Sequence, residues 1–291
     1  MTVKCDWLDV TYAPDNTPER AVFEVVQAAQ AECRSNDGSG SVWVLGRGVL
    51  KVDYKRGFAR FSASGAFLDG LREAGLFMDY LSALSEAPHN VTRLDAAYDV
   101  PKDAPPILRA LHRKYPRECR LTRKALRTKR ILDTREDGQD TGTFYIGHRQ
   151  QGMVTARVYD KQWERLQAGD PIPLPLTRYE LTFRRAVKAT LRDAAEPDRI
   201  FWHFSTPLLL KRPEGVPEWV SGWGGGWSYQ RDKTPLAAVL KQRIESSAEL
   251  QALAALSVQA GCEEWAQQLL ARVFEKHLHH SGTLGGSQDA A

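Results

Sequence analysis

Arg157, Tyr159 and Lys161 stand at every second position of one segment, and Arg178, Glu180, Thr182 and Arg184 do the same in another. Arg93, Asp95 and Asp99 fall on the same two-residue period. Side chains alternate along an extended strand, so each set shares one face, while Val154, Ala156 and Val158, Leu94, Ala96 and Tyr98, and Tyr179, Leu181 and Phe183 take the other. A phenol ionises near pH 10 at about its ordinary value, so Tyr159 can act as a nucleophile at neutral pH only with cations or a metal to stabilise the phenolate. Arg157 and Lys161 flank it. Asp95, Glu180 and Asp99 offer hard oxygens for Mg2+ or Mn2+, the Lewis acids that neutralise charge developing on a phosphodiester under attack. At roughly 3.3 Å per residue Asp95 and Asp99 lie about 13 Å apart, so the expected ligand pair is Asp95 with Glu180. Asp99 is an alternative ligand or an orienting group at the strand end. The bland alternative is an amphipathic tyrosine on a surface laced by cross-strand Asp/Arg pairs.

The segments that must carry these residues read as a mixed chain. Strands are expected over 4–12, 42–52 (a hairpin turning at Gly46-Arg47-Gly48), 58–64, 91–100, 142–149, 153–161 and 177–185, and helices over 18–33, 66–84 and 106–112. The fold class this predicts is α+β, an antiparallel sheet with helices mainly on one face, leaving the charged faces of three strands as one open surface. From Ala186 the composition turns Ala/Leu/Gln-rich, so the expected organisation is a catalytic region over 1–185, a helical region over 186–280 with helices at 235–256 and 263–277, and a disordered tail over 281–291. Ser221 to Trp227 (SGWGGGW) lacks the Lys-Ser/Thr ending of a phosphate-binding loop and reads as a linker.

Composition narrows the partners. The 291 residues carry 40 Lys and Arg against 36 Asp and Glu, and the net charge of +4 says little alone. Its distribution says more: Arg113, Lys114, Arg117, Arg120, Arg123, Lys124, Arg127, Lys129 and Arg130 crowd one stretch against the single acid Glu118, a block that calls for an anionic partner such as DNA, or else a solvated face. The four cysteines form no close pair, which argues against a disulfide framework or a zinc site. No stretch is long and apolar enough to span a bilayer and no signal peptide opens the chain, so the expected location is the host cytoplasm, away from membranes.

At the same residues the chain resembles the replication initiation factor family of rolling-circle plasmids and filamentous phages. The resemblance is carried, in order, by Asp6-Trp7-Leu8, by Thr92-Arg93-Leu94-Asp95-Ala96-Ala97-Tyr98-Asp99, by Tyr145-Ile146-Gly147-His148-Arg149, by Arg157-Val158-Tyr159-Asp160-Lys161 running to Glu164, and by Arg178-Tyr179-Glu180-Leu181. It implies a metal-dependent nickase and ligase in which Tyr159 attacks one strand of a double-stranded origin, leaving a 5′-phosphotyrosyl link and a free 3′-OH. It also implies Mg2+ or Mn2+ as cofactor, origin DNA (double- and single-stranded) and a host helicase as partners, a homodimer, and a five-stranded sheet related to the HUH endonucleases with acidic ligands in place of the histidine pair. The glycine-rich linkers point to the phage branch over the plasmid one. His277-Leu278-His279 matches His-hydrophobic-His but falls on an expected helix, where residues two apart do not share a face. Two other readings keep the fold: a non-catalytic DNA-binding regulator, which would have no use for Tyr159, Lys161 and two carboxylates on one face, and a mobilisation relaxase or transposase with the same chemistry.

Overall fold

The computed structural model describes residues 2–220, apart from 38, 56, 124, 136, 137, 139, 149 and 150. The expected linker at 221–227, the helices at 235–256 and 263–277, the tail at 281–291, the His277/His279 pair, Lys124 and Arg149 lie outside the described residues. Within them run β1 (Lys4–Tyr12), α1 (Glu19–Ala28), β2 (Glu32–Asp37), β3 (Gly40–Leu45), β4 (Gly48–Lys55), β5 (Phe58–Ser64), α2 (Gly65–Glu73) and α3 (Phe77–Ser85). There follow β6 (His89–Val100), α4 (Ala104–Lys114), β7 (Glu118–Arg120), β8 (Ala125–Thr134), β9 (Asp140–His148), β10 (Gln151–Asp160), α5 (Lys161–Gln167), β11 (Thr177–Arg184), α6 (Leu191–Ala195) and α7 (Pro197–Phe204). None of these helices is long and apolar enough to cross a membrane.

The expected class holds, but the sheet has eleven antiparallel strands and not five, in the order β2-β3-β4-β5-β1-β6-β11-β10-β9-β8-β7. Two causes account for the excess. β2 is exposed at every residue, and the half-buried positions of β8 are Leu126, Thr128 and Arg130, so neither shows the apolar alternation that betrays a half-buried strand. The other cause is that the sheet is built twice. Outward from the centre the first half runs β1, β5, β4, β3, β2 and the second runs β6, β11, β10, β9, β8, each entered through a central strand followed by a helix. The central strands share Leu-Asp-x-x-Tyr, at Leu8 to Tyr12 and at Leu94 to Tyr98. Their pairing is two-fold about Leu8 and Leu94: Trp7 faces Asp95, Asp9 faces Arg93, and each strand carries one unpaired bulge residue, Asp6 in β1 and Thr92 in β6.

One expected helix, 66–84, is in fact two. Gly75 at φ +74 ends α2, with its N–H donating to the Arg72 carbonyl and the Leu76 N–H to that of Leu71, a left-handed stop that a side-chain-bearing residue resists. The apolar sheet face, with Leu8, Val10, Leu94, Ala96, Phe144, Val158, Leu181 and Phe183 buried, carries the core. On that face Tyr98 meets Phe201 and Trp202 of α7, and Phe183 meets Phe204. The Tyr12 hydroxyl donates to the Leu84 carbonyl of α3. Gly48 lets α2 press on β4, since a Cβ there would fall 1.9 Å from the Phe67 nitrogen.

Candidate active site

Strand register places the candidate residues in rows across the face opposite the core. One row runs Thr143 (β9), Tyr159 (β10), Arg178 (β11), Asp99 (β6). The next runs Lys129 (β8), Tyr145, Arg157, Glu180, Ala97. A third holds Thr155, Thr182, Asp95 and Trp7. The structure therefore brings Tyr159, Arg157, Glu180, Asp95 and Asp99 together on one surface. β10 ends at Asp160, so Lys161 opens α5 and does not continue the strand face, yet its Nζ still lies 5.8 Å from the Tyr159 ring centre and pairs with Glu164.

Each carboxylate of the surface is held by an arginine. Arg93 donates to Asp95 through Nε (3.0 Å) and Nη2 (2.5 Å), with its guanidinium stacked 4.5 Å from the Trp7 ring centre. Arg157 donates to Glu180 (2.6 Å) and lies 4.6 Å over the Tyr159 ring. Arg178 grips Asp99 with two bonds of 2.6 and 2.7 Å and reaches Asp6 at 2.9 Å. Asp6 is a site residue that strand periodicity could not find: it occupies the β1 bulge, where the alternation slips, and its one sequence signal is its place in the Asp6-Trp7-Leu8 opening.

Burial sets the electrostatics. Tyr159 is 5% exposed, against the solvent-facing tyrosine that a polar strand face predicts, and desolvation pushes its phenol well above the ordinary value although the Arg157 guanidinium opposes this. Asp95 and Glu180 are each 2% exposed. Desolvation raises both carboxyls, Arg93 and Arg157 respectively pull them down, and the charge of Asp95 pushes Glu180 up further. Asp6 is raised in the same way, with Arg178 opposing.

Two buried carboxylates on adjacent strands, diagonal across Ala97 and the Thr182 row, fit a small hard cation that takes one or two carboxylates and fills its shell with water and phosphate oxygens. Asp95 and Glu180 would hold it. Among the described residues no three His, Cys, Asp or Glu converge as a complete ligand cage, and Asp99, clasped by Arg178, stands at the far side of Ala97 in an orienting position. Such an ion would have to share the carboxylates with Arg93 and Arg157.

The basic stretch flanks this surface. Arg113 and Lys114 close α4, Arg120 lies on β7, and Arg127 and Lys129 on β8. These five, with Arg117 and Arg123 in the intervening loops, are exposed; Arg130 is half-buried, opposite Phe144 on the core face. Lys129 shares a row with Tyr145 and Arg157, so the exposed cations Arg127 and Lys129 of β8 lie on the tyrosine face.

Residues 89–193 match the sequence model of the replication initiation factor family. The matched segment spans β6 to β11 and runs into α6, and it contains every candidate residue named above except Asp6 and Trp7. No curated protein matches the chain. Among solved structures, the chain is similar to the rolling circle replication initiator protein from Geobacillus stearothermophilus, with 20% identity and a TM-score of 0.46 over 70% of this chain and 85% of that one.

Proposed function

We propose that the protein initiates rolling-circle replication by nicking one strand at an origin, with Tyr159 as nucleophile. The observation that supports this reading is the register that sets Tyr159 beside Arg178 and one row from the Arg157–Glu180 pair, on the sheet face opposite the core and inside the segment that matches the replication initiation factor family. The phenol loses its proton, its oxygen bonds to phosphorus, the bond from phosphorus to the 3′ oxygen breaks, and that oxygen takes up a proton. The products are a 5′-phosphotyrosyl link and a 3′-OH, and the reverse reaction rejoins the strand.

Burial makes the phenolate costly, so the cations carry the early part of this reaction. Arg157 lies against the ring and Lys161 beside it, and both favour the anion. Arg157, Arg178 and Arg93 are locked by carboxylates and need no reorganisation as charge develops on the phosphate. Asp95 and Glu180 would hold Mg2+ or Mn2+, which would supply Lewis-acid neutralisation of that charge. Arg113, Lys114, Arg117, Arg120, Arg123, Arg127 and Lys129 hold backbone phosphates and steer origin DNA, double- or single-stranded, onto the face, whereas Arg130, on the core side of β8, takes no part. A host helicase and a second copy of the chain are the partners that complete the reading.

The test is incubation with supercoiled DNA carrying the cognate origin, with and without Mg2+, scoring relaxation and covalent protein–DNA adducts. Metal-dependent relaxation with an adduct is expected. DNA binding with neither relaxation nor adduct would leave a regulator and refute the nickase.

A further inference from the structure

Asp160 follows Tyr159 directly and is 3% exposed, yet nothing in the reaction above uses it. Its carboxylate is the meeting point of three elements. Oδ1 accepts the Trp163 N–H (3.0 Å) and so caps α5, the helix that begins at Lys161. Oδ2 accepts the Thr141 hydroxyl of β9 (2.6 Å) and two donors of Arg135, Nε–H (2.8 Å) and Nη2–H (2.5 Å), from the turn between β8 and β9. Arg135 also donates to Asp103 at the start of α4 (2.8 Å), and the Trp163 indole donates to Asp133 of β8 (2.7 Å). The hairpin of β8 and β9 is the one whose outer strand carries the exposed Arg127 and Lys129.

A buried anion thus sits between the strand end that carries Tyr159, the helix start that carries Lys161, and the hairpin that carries the cations. We infer that Asp160 is a positioning residue that transmits the seating of DNA on the basic hairpin to the placement of Tyr159 and Lys161. The inference rests on the nicking reading. A buried carboxylate with four donors from two sides has a single low-energy arrangement, because leaving any donor unpaired in a dry site is costly. Bound phosphate that shifts the hairpin must therefore carry Asp160, and with it the residues on either side.

Asp160→Asn is the first variant, since asparagine keeps the size and still caps a helix but loses the charge that holds Arg135. Wild type and variant are compared under single-turnover conditions on a single-stranded oligonucleotide spanning the nick site mapped for the wild type, with adduct rate and DNA affinity measured separately. At saturating DNA the adduct rate per folded molecule is expected to fall at least 10-fold, with DNA affinity within 2-fold, beyond whatever the melting temperature loses from the stranded donors. Asp103→Asn, which removes only the outer partner of Arg135, should stay within 2-fold in rate. A bolt that merely holds the fold together predicts a lower melting temperature and an unaltered rate per folded molecule. That result, a rate recovered by adding DNA, or an equal loss in Asp103→Asn would overturn the inference. If Asp160→Asn does not fold, Thr141→Val deletes one of the four donors at constant shape, and about a 3-fold slower adduct rate at equal affinity is expected; an unchanged rate would overturn the inference too. A wild type that forms no adduct refutes the nickase itself, which separates the two failures.

Discussion

Tyr159→Phe removes one oxygen from the centre of the site. Among the described residues that hydroxyl makes no hydrogen bond, so no pairing worth about 1 kcal/mol is lost and no buried partner is orphaned. The ring contacts survive, with Arg157 at 4.6 Å and Lys161 at 5.8 Å from its centre, since both see the face of the ring and not the oxygen. Stability should therefore stay within about 1 kcal/mol of wild type, a melting shift of no more than about 2–4 °C for a domain of this size. Activity gives the opposite answer, because no atom remains to bond to phosphorus. The assay is denaturing electrophoresis of protein incubated with end-labelled origin DNA, scoring the covalent species, alongside equilibrium binding of the same DNA. Tyr145→Phe and Tyr179→Phe are internal controls: Tyr145 faces Arg157 on the same surface, whereas Tyr179 is buried on the core side. Both should keep the adduct. An adduct formed by Tyr159→Phe, or peptide mapping that puts DNA on Tyr145, would refute the reasoning even if the reaction class survived.

Asp95→Asn and Glu180→Gln should fold and bind DNA but lose metal-dependent nicking, since an amide is a poor ligand for a hard dication; wild-type rates across a Mg2+ titration would remove that residue from the site. Burial raises the carboxyls of Asp6, Asp95 and Glu180 in the folded chain, so the folded state holds protons more tightly than the unfolded one. Their stabilisation is complete below the unfolded values near about 4 and is lost as pH rises through the raised ones. Metal-free melting temperature should accordingly carry a component that falls with rising pH, and Glu180→Gln should flatten it; an identical slope in that variant would contradict the assignment. Arg178→Ala strands Asp6 and Asp99 without their shared cation and should cost about 3–5 kcal/mol by urea unfolding, and a cost under about 1 would show the clasp to be idle. Replacing Arg120, Arg127 and Lys129 together by Ala should reduce the slope of log affinity against log salt for duplex DNA by about 2.7, at 0.9 per phosphate contact, equally on origin and non-origin sequences.

The face that carries the chemistry was legible because period two is an arithmetic property of strands: Asp95 and Asp99, Arg157 and Tyr159, and Arg178 and Glu180 had to share a side wherever their strands lay. What alternation could not supply was neighbour identity. The Arg178 clasp on Asp99 and Asp6 joins residues 79 and 172 positions apart, and the bulge that turns Asp6 toward it breaks the very period used to read the strand. β2, at one edge, and β8, next to the other, escaped for the opposite reason. β2 buries nothing and β8 little, so no apolar period marks them, and the cations of β8 read as a loop. Burial of Tyr159 was equally invisible, since it follows from the stacking of Arg157 over a ring that its own strand leaves on the polar side.

The doubled sheet bears on stoichiometry. Superposing one half on the other through Leu-Asp-x-x-Tyr puts Asp9, which accepts from Ser62 (2.5 Å), where Asp95 stands opposite Thr182. It puts the Arg60–Asp53 ion pair where Glu180–Arg157 stands, with the charges exchanged. Two residues beyond Asp53, at the counterpart of Tyr159, is Lys55, opposite Phe58 in place of Arg178. The first copy thus keeps an acid and an ion pair but no phenol, while lending Asp6 across the seam to the second. With Tyr159 as the proposed nucleophile, the described residues carry one reactive oxygen across two corresponding faces, so an exchange that requires two phosphotyrosyl links at once would have to draw its second tyrosine from outside them.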